Sequence, residues 1–188
     1  TLTIFEELAP EGLSKQWSHG VELIIGKNSH VIYISLSALN GIEPQKIFHR
    51  SRIDEGGSVH WCNLTVGTAP LRHNLHSLLI GDHARSSVDW AAYARREEHF
   101  HLATHNSFFA KNGGGEIMMK AVAEEKARVQ CLGMIEIGEQ GQGTDTYLTE
   151  DVLMLDATAK IDAIPALEIR TNDVKASHSA TIARLTEE

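Results

Sequence analysis

The chain has 188 residues, 42% of them hydrophobic, which is enough to bury one sizeable core and reads as a single domain over residues 1–188. Lys and Arg number 17 against 25 Asp and Glu, and the formal net charge of −8 opposes non-specific attraction to nucleic acid or to an anionic membrane surface, so neither is an expected partner. Only 4 Pro and 15 Gly occur, without a low-complexity tract, which excludes a largely disordered chain.

In chain order, residues 1–19 read as the cap of a first coil or the remnant of a helical region, with Thr3–Leu8 a short helix candidate. From Gly20 onward, short stretches rich in Val, Ile and Leu alternate with Gly, Asn, Asp and charged pairs, the pattern of strands and turns. The clear strands are Val21–Ile25, Val31–Ser35, Ser58–Val66, Ser86–Tyr93, Glu116–Ala121, Ala127–Ile137, Val152–Leu155, Ala166–Ile169 and Ser179–Leu185. Asp89–Arg96 is a second helix candidate, although Trp90 and Tyr93 also fit a strand. Within Ala127–Ile137, Val129, Cys131, Ile135 and Ile137 fall on one side and Arg128, Gln130 and Glu136 on the other, the period of two of a half-buried strand.

A turn followed by a small, a polar and an apolar residue recurs at Gly57, Ala84, Ala127, Ala159 and Val174. This suggests coils stacked into parallel sheets, with small residues at the turns letting successive rungs approach. The separations run irregularly from 15 to 43 residues, so periodicity by itself leaves a β-helix and a jelly roll both open.

Nothing in the chain approaches the roughly 18–20 apolar residues of a membrane span. Residues 1–10 lack the basic start and apolar run of a signal peptide, which makes the cytoplasm the expected location. Cys62 and Cys131 are expected as reduced, partly buried thiols. The first residue is Thr1, not Met, and the last four are Leu185-Thr186-Glu187-Glu188, so the sequence reads as an excised piece of something longer.

Two histidine-bearing segments are candidates for chemistry. In Glu97-Glu98-His99-Phe100-His101-Leu102-Ala103-Thr104-His105, a strand puts His99, His101 and His105 on one face, where three imidazoles and Glu97 offer metal ligands. The spacing resembles the His-x-His motif of cupins, metal-binding jelly rolls, but no Pro-x-Gly half-motif with a later His follows. An alternative reading is therefore a cupin-like, metal-dependent all-β enzyme using these three residues, against a solvated polar strand face. His178 stands among small residues near the end of the chain, and neither Ser177 nor Ser179 makes a nucleophile with it, because adjacent strand residues face opposite ways. Lys111–Glu116 and Gly138–Thr144 are Gly-rich but lack a P-loop ending and a following helix, and read as flexible turns. Asp145, Glu150, Asp151, Asp156 and Asp162 show no calcium-loop or acid–base spacing and read as turn and surface residues.

The C-terminal third carries a longer signature. Leu153-Met154-Leu155-Asp156, Ala159, Asp162, Ile164-Pro165-Ala166-Leu167-Glu168-Ile169 and Asn172-Asp173-Val174-Lys175-Ala176-Ser177-His178-Ser179-Ala180-Thr181 resemble the closing segments of the SufB/SufD family of iron–sulfur cluster assembly scaffolds. Lys120-Ala121-Val122, Ala127-Arg128, Gly133 and Gly141-Gln142-Gly143-Thr144-Asp145 are similar to its preceding segments in the same order. The resemblance runs from about Gly81 to Glu188 and is closer to SufD-like members. It implies an all-β, right-handed parallel β-helix, truncated here where a C-terminal helical segment would begin. It further implies a non-enzymatic scaffold that pairs with a second SufB- or SufD-like subunit and engages the ABC-type ATPase SufC through the missing segment. An iron–sulfur cluster would be held transiently at the subunit interface. His178 falls on the histidine that SufD-like members place there as a cluster or metal ligand, a role imidazole can fill. Ala159 stands where SufB has an essential cysteine, Ser179 where it has glutamate, and Ala176 where SufD members often have cysteine. Cys131 is a secondary thiol candidate, with burial as its competing role.

Overall fold

The computed structural model describes residues 1–9 and 15–185. Among the described residues, thirteen strands follow one another in chain order: β1 (Leu2–Leu8), β2 (Trp17–Ile25), β3 (His30–Leu39), β4 (Gln45–Ile53), β5 (Ser58–Gly67), β6 (Leu71–Leu79), β7 (Arg85–Ala94), β8 (His99–Phe108), β9 (Gly114–Ala123), β10 (Arg128–Ile137), β11 (Thr144–Met154), β12 (Lys160–Ile169) and β13 (Val174–Arg184). The odd-numbered strands make one sheet and the even-numbered ones a second, each in order along the chain, and every pairing between them is parallel. This is a two-sheet parallel β-helix, and the jelly roll, which needs antiparallel neighbours, is excluded. Both short helix candidates are strands, Thr3–Leu8 within β1 and most of Asp89–Arg96 within β7.

The irregular repeat spacing has a simple origin. Register partners in adjacent coils lie 26 residues apart at Gln45 and Leu71 and 32 at Arg128 and Lys160. Each coil is two strand-plus-turn units, and the recurring motif marks the entry to either strand. Its separations of 27, 43, 32 and 15 residues are therefore two, three, two and one such units.

The turns stack as regularly as the strands. Asn28, Gly56, His83, Asn112 and Gly143 occupy one turn of successive coils, all with positive φ. Each donates its backbone N–H to the carbonyl of the next coil, to Glu55, Asp82, Lys111, Gln142 and Asp173 respectively, at 2.6–3.0 Å. A left-handed residue is what Gly and Asn tolerate best, which explains four of the five identities.

Alternate residues face inward and form continuous rows across each sheet. One row runs Ile4, Tyr33, Trp61, Val88, Ile117, Leu148, His178, and its neighbour Glu6, Ser35, Asn63, Trp90, Met119, Glu150, Ala180. The core is apolar in its middle and polar toward the first coils, where Gln45, His49, Ser51, His73 and Ser77 are buried. That mixture hides β4 and β6 from a hydrophobicity reading. Their inward rows carry His49, Ser51, His73 and Ser77 among the Ile and Leu, so the apolar–polar alternation is broken although the backbone is regular.

Both fully buried indole N–H groups are partnered, one across the two sheets and one within a sheet. Trp61 Nε1 donates to Ser77 Oγ at 3.1 Å and Trp90 Nε1 to Thr65 Oγ1 at 3.0 Å. Ser77→Ala leaves the fully buried Trp61 N–H without its acceptor, and is expected to cost about 1–2 kcal/mol in urea unfolding. A loss below about 0.5 kcal/mol would mean that the N–H finds another partner.

Candidate functional site

The residues singled out by sequence fall in three places. His178 is on β13, the last strand of the odd-numbered sheet, with Leu148 as its register partner. It shares the core-facing row with Val174, Ala176, Ala180 and Ile182, but no further strand covers that row among the described residues, and His178 is exposed. It is the one side chain of metal-ligand type on this row. Ala176 sits two residues before it on the same face. Ser179 is on the opposite face, where its hydroxyl meets Tyr147 Oη at 3.0 Å, and Ala159 is buried in the turn before β12.

Cys131 is 1% exposed on the inward row of β10, as its alternation predicts, and burial followed by the charge of Glu150 pushes its thiol up to about 12. It is a free thiol, as is the half-exposed Cys62. A thiol so disfavoured as thiolate is a poor nucleophile and a poor ligand while it stays enclosed.

Glu150, expected on the surface, is instead completely buried on the inward row of β11. Its carboxyl lies over Gly133, where even a methyl group would come within 2.9 Å of Oε1. Burial pushes it up to about 7, tempered by the backbone amides of Gly133 and Ile164 that face it, although neither oxygen makes a hydrogen bond of normal geometry. The period-two row Leu148, Glu150, Val152, Met154 carries the signal for its burial, but a single carboxylate without a spaced partner was not read as part of it. Glu150 is the register partner of Ala180, two residues from His178 along the row. Strand and rung spacings put the Cα atoms of Glu150 and His178 about 8 Å apart. The last two coils thus combine an exposed imidazole on β13 with a buried carboxyl on β11 and a buried thiol on β10.

His99, His101 and His105 do share the outer face of β8, but four residues of extended strand hold His101 and His105 about 13 Å apart. His99 and His101 border an outer groove of about 470 Å³ together with Lys46, Arg72, Arg128 and Lys160. Burial and the Arg72 charge lower the basicity of His101, and Asp162 is the one carboxylate lining this groove among four cationic side chains. His105 belongs to a different cluster. It stacks on His76 with ring centroids 4.6 Å apart, and its Nε2 lies 3.1 Å from Ser107 Oγ and 3.3 Å from Glu136 Oε2. His76 Nε2 meets the same Ser107 hydroxyl at 3.0 Å, and burial with the His105 charge pulls His76 down to about 4.

Sequence reading missed a cluster at the opposite end of the β-helix. Glu6 on β1 accepts from His19 Nε2 at 2.6 Å and from His49 Nε2 at 3.1 Å, and His49 Nδ1 lies 3.2 Å from His73 Nε2. These residues are 13 to 43 positions apart in the chain and only the stacking of β1, β2 and β4 unites them, so no local motif announces them.

Known proteins give this geometry its context. All of residues 1–188 match the family model described as SUF system FeS cluster assembly, SufBD core domain. Escherichia coli (strain K12) has an iron–sulfur cluster assembly protein SufD that is 26% identical over 167 residues, covering 87% of this chain and 39% of the relative. An iron–sulfur cluster assembly SufBD family protein of Mycobacterium tuberculosis is 23% identical over 167 residues, 89% of this chain and 20% of the relative. One from Staphylococcus epidermidis is 23% identical over 168 residues, 89% of this chain and 36% of the relative. The chain thus spans between a fifth and two fifths of the length of these relatives. A parallel β-helix of the expected architecture, matched along its whole length, places this chain in the SufBD core-domain family of the SUF iron–sulfur cluster assembly system.

Proposed function

We propose that this chain is the β-helix core of a SufD-like scaffold subunit, which acts without turning over a substrate of its own. In this reading it works in the cytoplasm, pairs with a second SufB- or SufD-like subunit at its terminal coil, and is coupled to a SufC-type ATPase through a segment beyond residue 188. The nascent iron–sulfur cluster is cargo, met at the paired surface by His178. The observation that carries the reading is the placement of His178: an exposed imidazole on the core-facing row of an edge strand, with only small or aliphatic neighbours on that row before Arg184. An edge strand presents unpaired backbone groups to a partner, and a neutral imidazole is an accepted iron ligand in such a setting.

SufB has cysteine and glutamate where Ala159 and Ser179 stand here, so this chain supplies one ligand and the thiolates are left to the second subunit. Two copies of this chain would offer two imidazoles and no exposed thiol at that surface. A heteromeric pair therefore fits better than a homodimer.

The test takes the full-length protein, expressed with the SufB-like and SufC-like proteins of the same genome, and compares wild type with His178→Ala for complex formation and for bound iron and sulfide. The complex should persist, because His178 is exposed and its removal leaves no cavity, while iron and sulfide fall several-fold. Unchanged iron and sulfide in an intact complex would remove His178 from the site, and failure to form any complex would sink the scaffold role.

A further inference from the structure

The first coils hold a second arrangement that the cluster-assembly reading does not use. The Glu6 carboxylate, His19 Nε2 and His49 Nε2 lie within 4.8 Å of one another, two imidazoles and one carboxylate converging from three strands. We propose that Glu6, His19 and His49 form a binding site for a divalent first-row transition ion of the iron(II) or zinc(II) type, at the end of the β-helix opposite His178.

The donor set is the first argument. Two histidines and one carboxylate on one side of an ion, with the remaining positions open, is a recurring ligand set for non-haem iron(II) and for zinc. Ligands about 2.0–2.2 Å from a common ion lie roughly 3 Å from each other. The existing contacts, 2.6 Å from Glu6 Oε1 to His19 and 3.1 Å from Oε2 to His49, are already near that separation. An ion would take the place of the shared hydrogen bonds with small side-chain shifts.

Preorganisation is the second. Each ligand is oriented by groups that do not themselves bind. The His49 ring stacks on Trp61 with centroids 5.5 Å apart and planes 10° from parallel, and the His19 ring stacks on Trp17 at 5.4 Å and 10°. Ser35 Oγ donates to Glu6 Oε2 at 3.2 Å. The second nitrogen of His49 faces His73 Nε2, the outer-shell contact that fixes the tautomer of a metal-bound histidine. His73 is completely buried and its Nδ1 has no hydrogen-bond partner. With its Nε2 turned to His49 Nδ1, His73 can accept from His49 Nδ1–H while His49 Nε2 turns its lone pair toward an ion.

Charge and access agree. Glu6 supplies the one anionic donor of the cluster, and its two imidazoles supply neutral donors when they bind an ion. The His49 side chain is fully enclosed, whereas Glu6 and His19 are 13% and 26% exposed, which leaves one side open for an ion to enter and for further ligands. The other close group, His60, Cys62 and Asp89, lacks these supports. It lies on the outer face of β5 and β7 with His60 and Asp89 side chains 42% and 57% exposed, and serves here as the control.

The experiment loads the full-length protein with Co²⁺ and, anaerobically, with Fe²⁺ or Zn²⁺, and compares wild type with Glu6→Gln, His19→Ala and Cys62→Ser. His19 is partly exposed and Glu6→Gln is isosteric, so both variants should fold, which circular dichroism checks. Wild type should bind one more equivalent than either Glu6→Gln or His19→Ala, or bind it at least ten-fold more tightly. The Co²⁺ difference spectrum should show ligand-field bands of nitrogen and oxygen donors without a thiolate charge-transfer band. Cys62→Ser should bind as wild type does. Binding unchanged in folded Glu6→Gln and His19→Ala, or a thiolate band that disappears with Cys62→Ser, would overturn the site. Neither outcome touches His178, so the two functional readings stand or fall separately.

Discussion

Gly115→Ala should lose at least about 3 kcal/mol of unfolding free energy, if it folds at all. Gly115 is the second residue of β9 with φ of +134°, a conformation that L side chains rarely adopt, and a methyl group there would sit 2.0 Å from the carbonyl oxygen of Ser86 in the adjacent coil. Neither side can yield. The same Ser86 carbonyl accepts from Asn106 Nδ2 at 3.0 Å, while Ser86 Oγ donates to Asn106 Oδ1 at 3.2 Å, so the segment is pinned from the opposite sheet. For a chain of this size the loss corresponds to a melting temperature lower by roughly 6–12 °C. Gly26→Ala is the internal comparison: its added methyl meets nothing within 4 Å, and its stability should stay within about 0.5 kcal/mol of wild type. Equal stabilities for the two variants would show that the rungs can separate at Gly115 without cost.

Glu150→Gln should stabilise the protein, and only at higher pH. The unfolded chain titrates this carboxyl near 4.5 and the folded one near 7, because burial disfavours the charged form. Between these values the folded state binds more protons than the unfolded state, so stability falls as pH rises through that window, and the penalty is complete above the folded value. Removing the ionisable group removes the penalty, about 3 kcal/mol at pH 8 and close to nothing at pH 4. Urea unfolding at the two pH values measures it. A gain that does not change with pH would mean that the carboxyl is not what titrates.

What was legible in the sequence followed the physical signals that act locally. β10 is the clearest case: Val129, Cys131, Ile135 and Ile137 fall opposite Arg128, Gln130 and Glu136 and are all buried, and nothing beyond the pleat was needed to see it. The closing segments around Asn172–Thr181 carried the family resemblance, and the match over residues 1–188 agrees with it. Two short helix candidates gave way to strands because residues 3–8 and 89–94 each lie in register beside another strand, and pairing outweighs the weak preference of a six-residue segment. The Gly113-Gly114-Gly115 run was legible as punctuation but not as close approach, since that depends on Ser86 arriving from another coil. Glu150 was placed outside because a carboxylate is rarely buried unpaired, a rule about averages that one position in the interior overrides. Glu6, His19, His49 and His73 had no common signal at all. The sequence by itself determined most of the strands, the turns and the family, since alternation, left-handed turn residues and a long ordered motif are properties of neighbouring residues, whereas β1, β4 and β6 escaped it. Only the tertiary structure decided which of them meet, because in a β-helix each contact joins residues about 29 positions apart through the register of stacked coils, and register is a property of the whole stack.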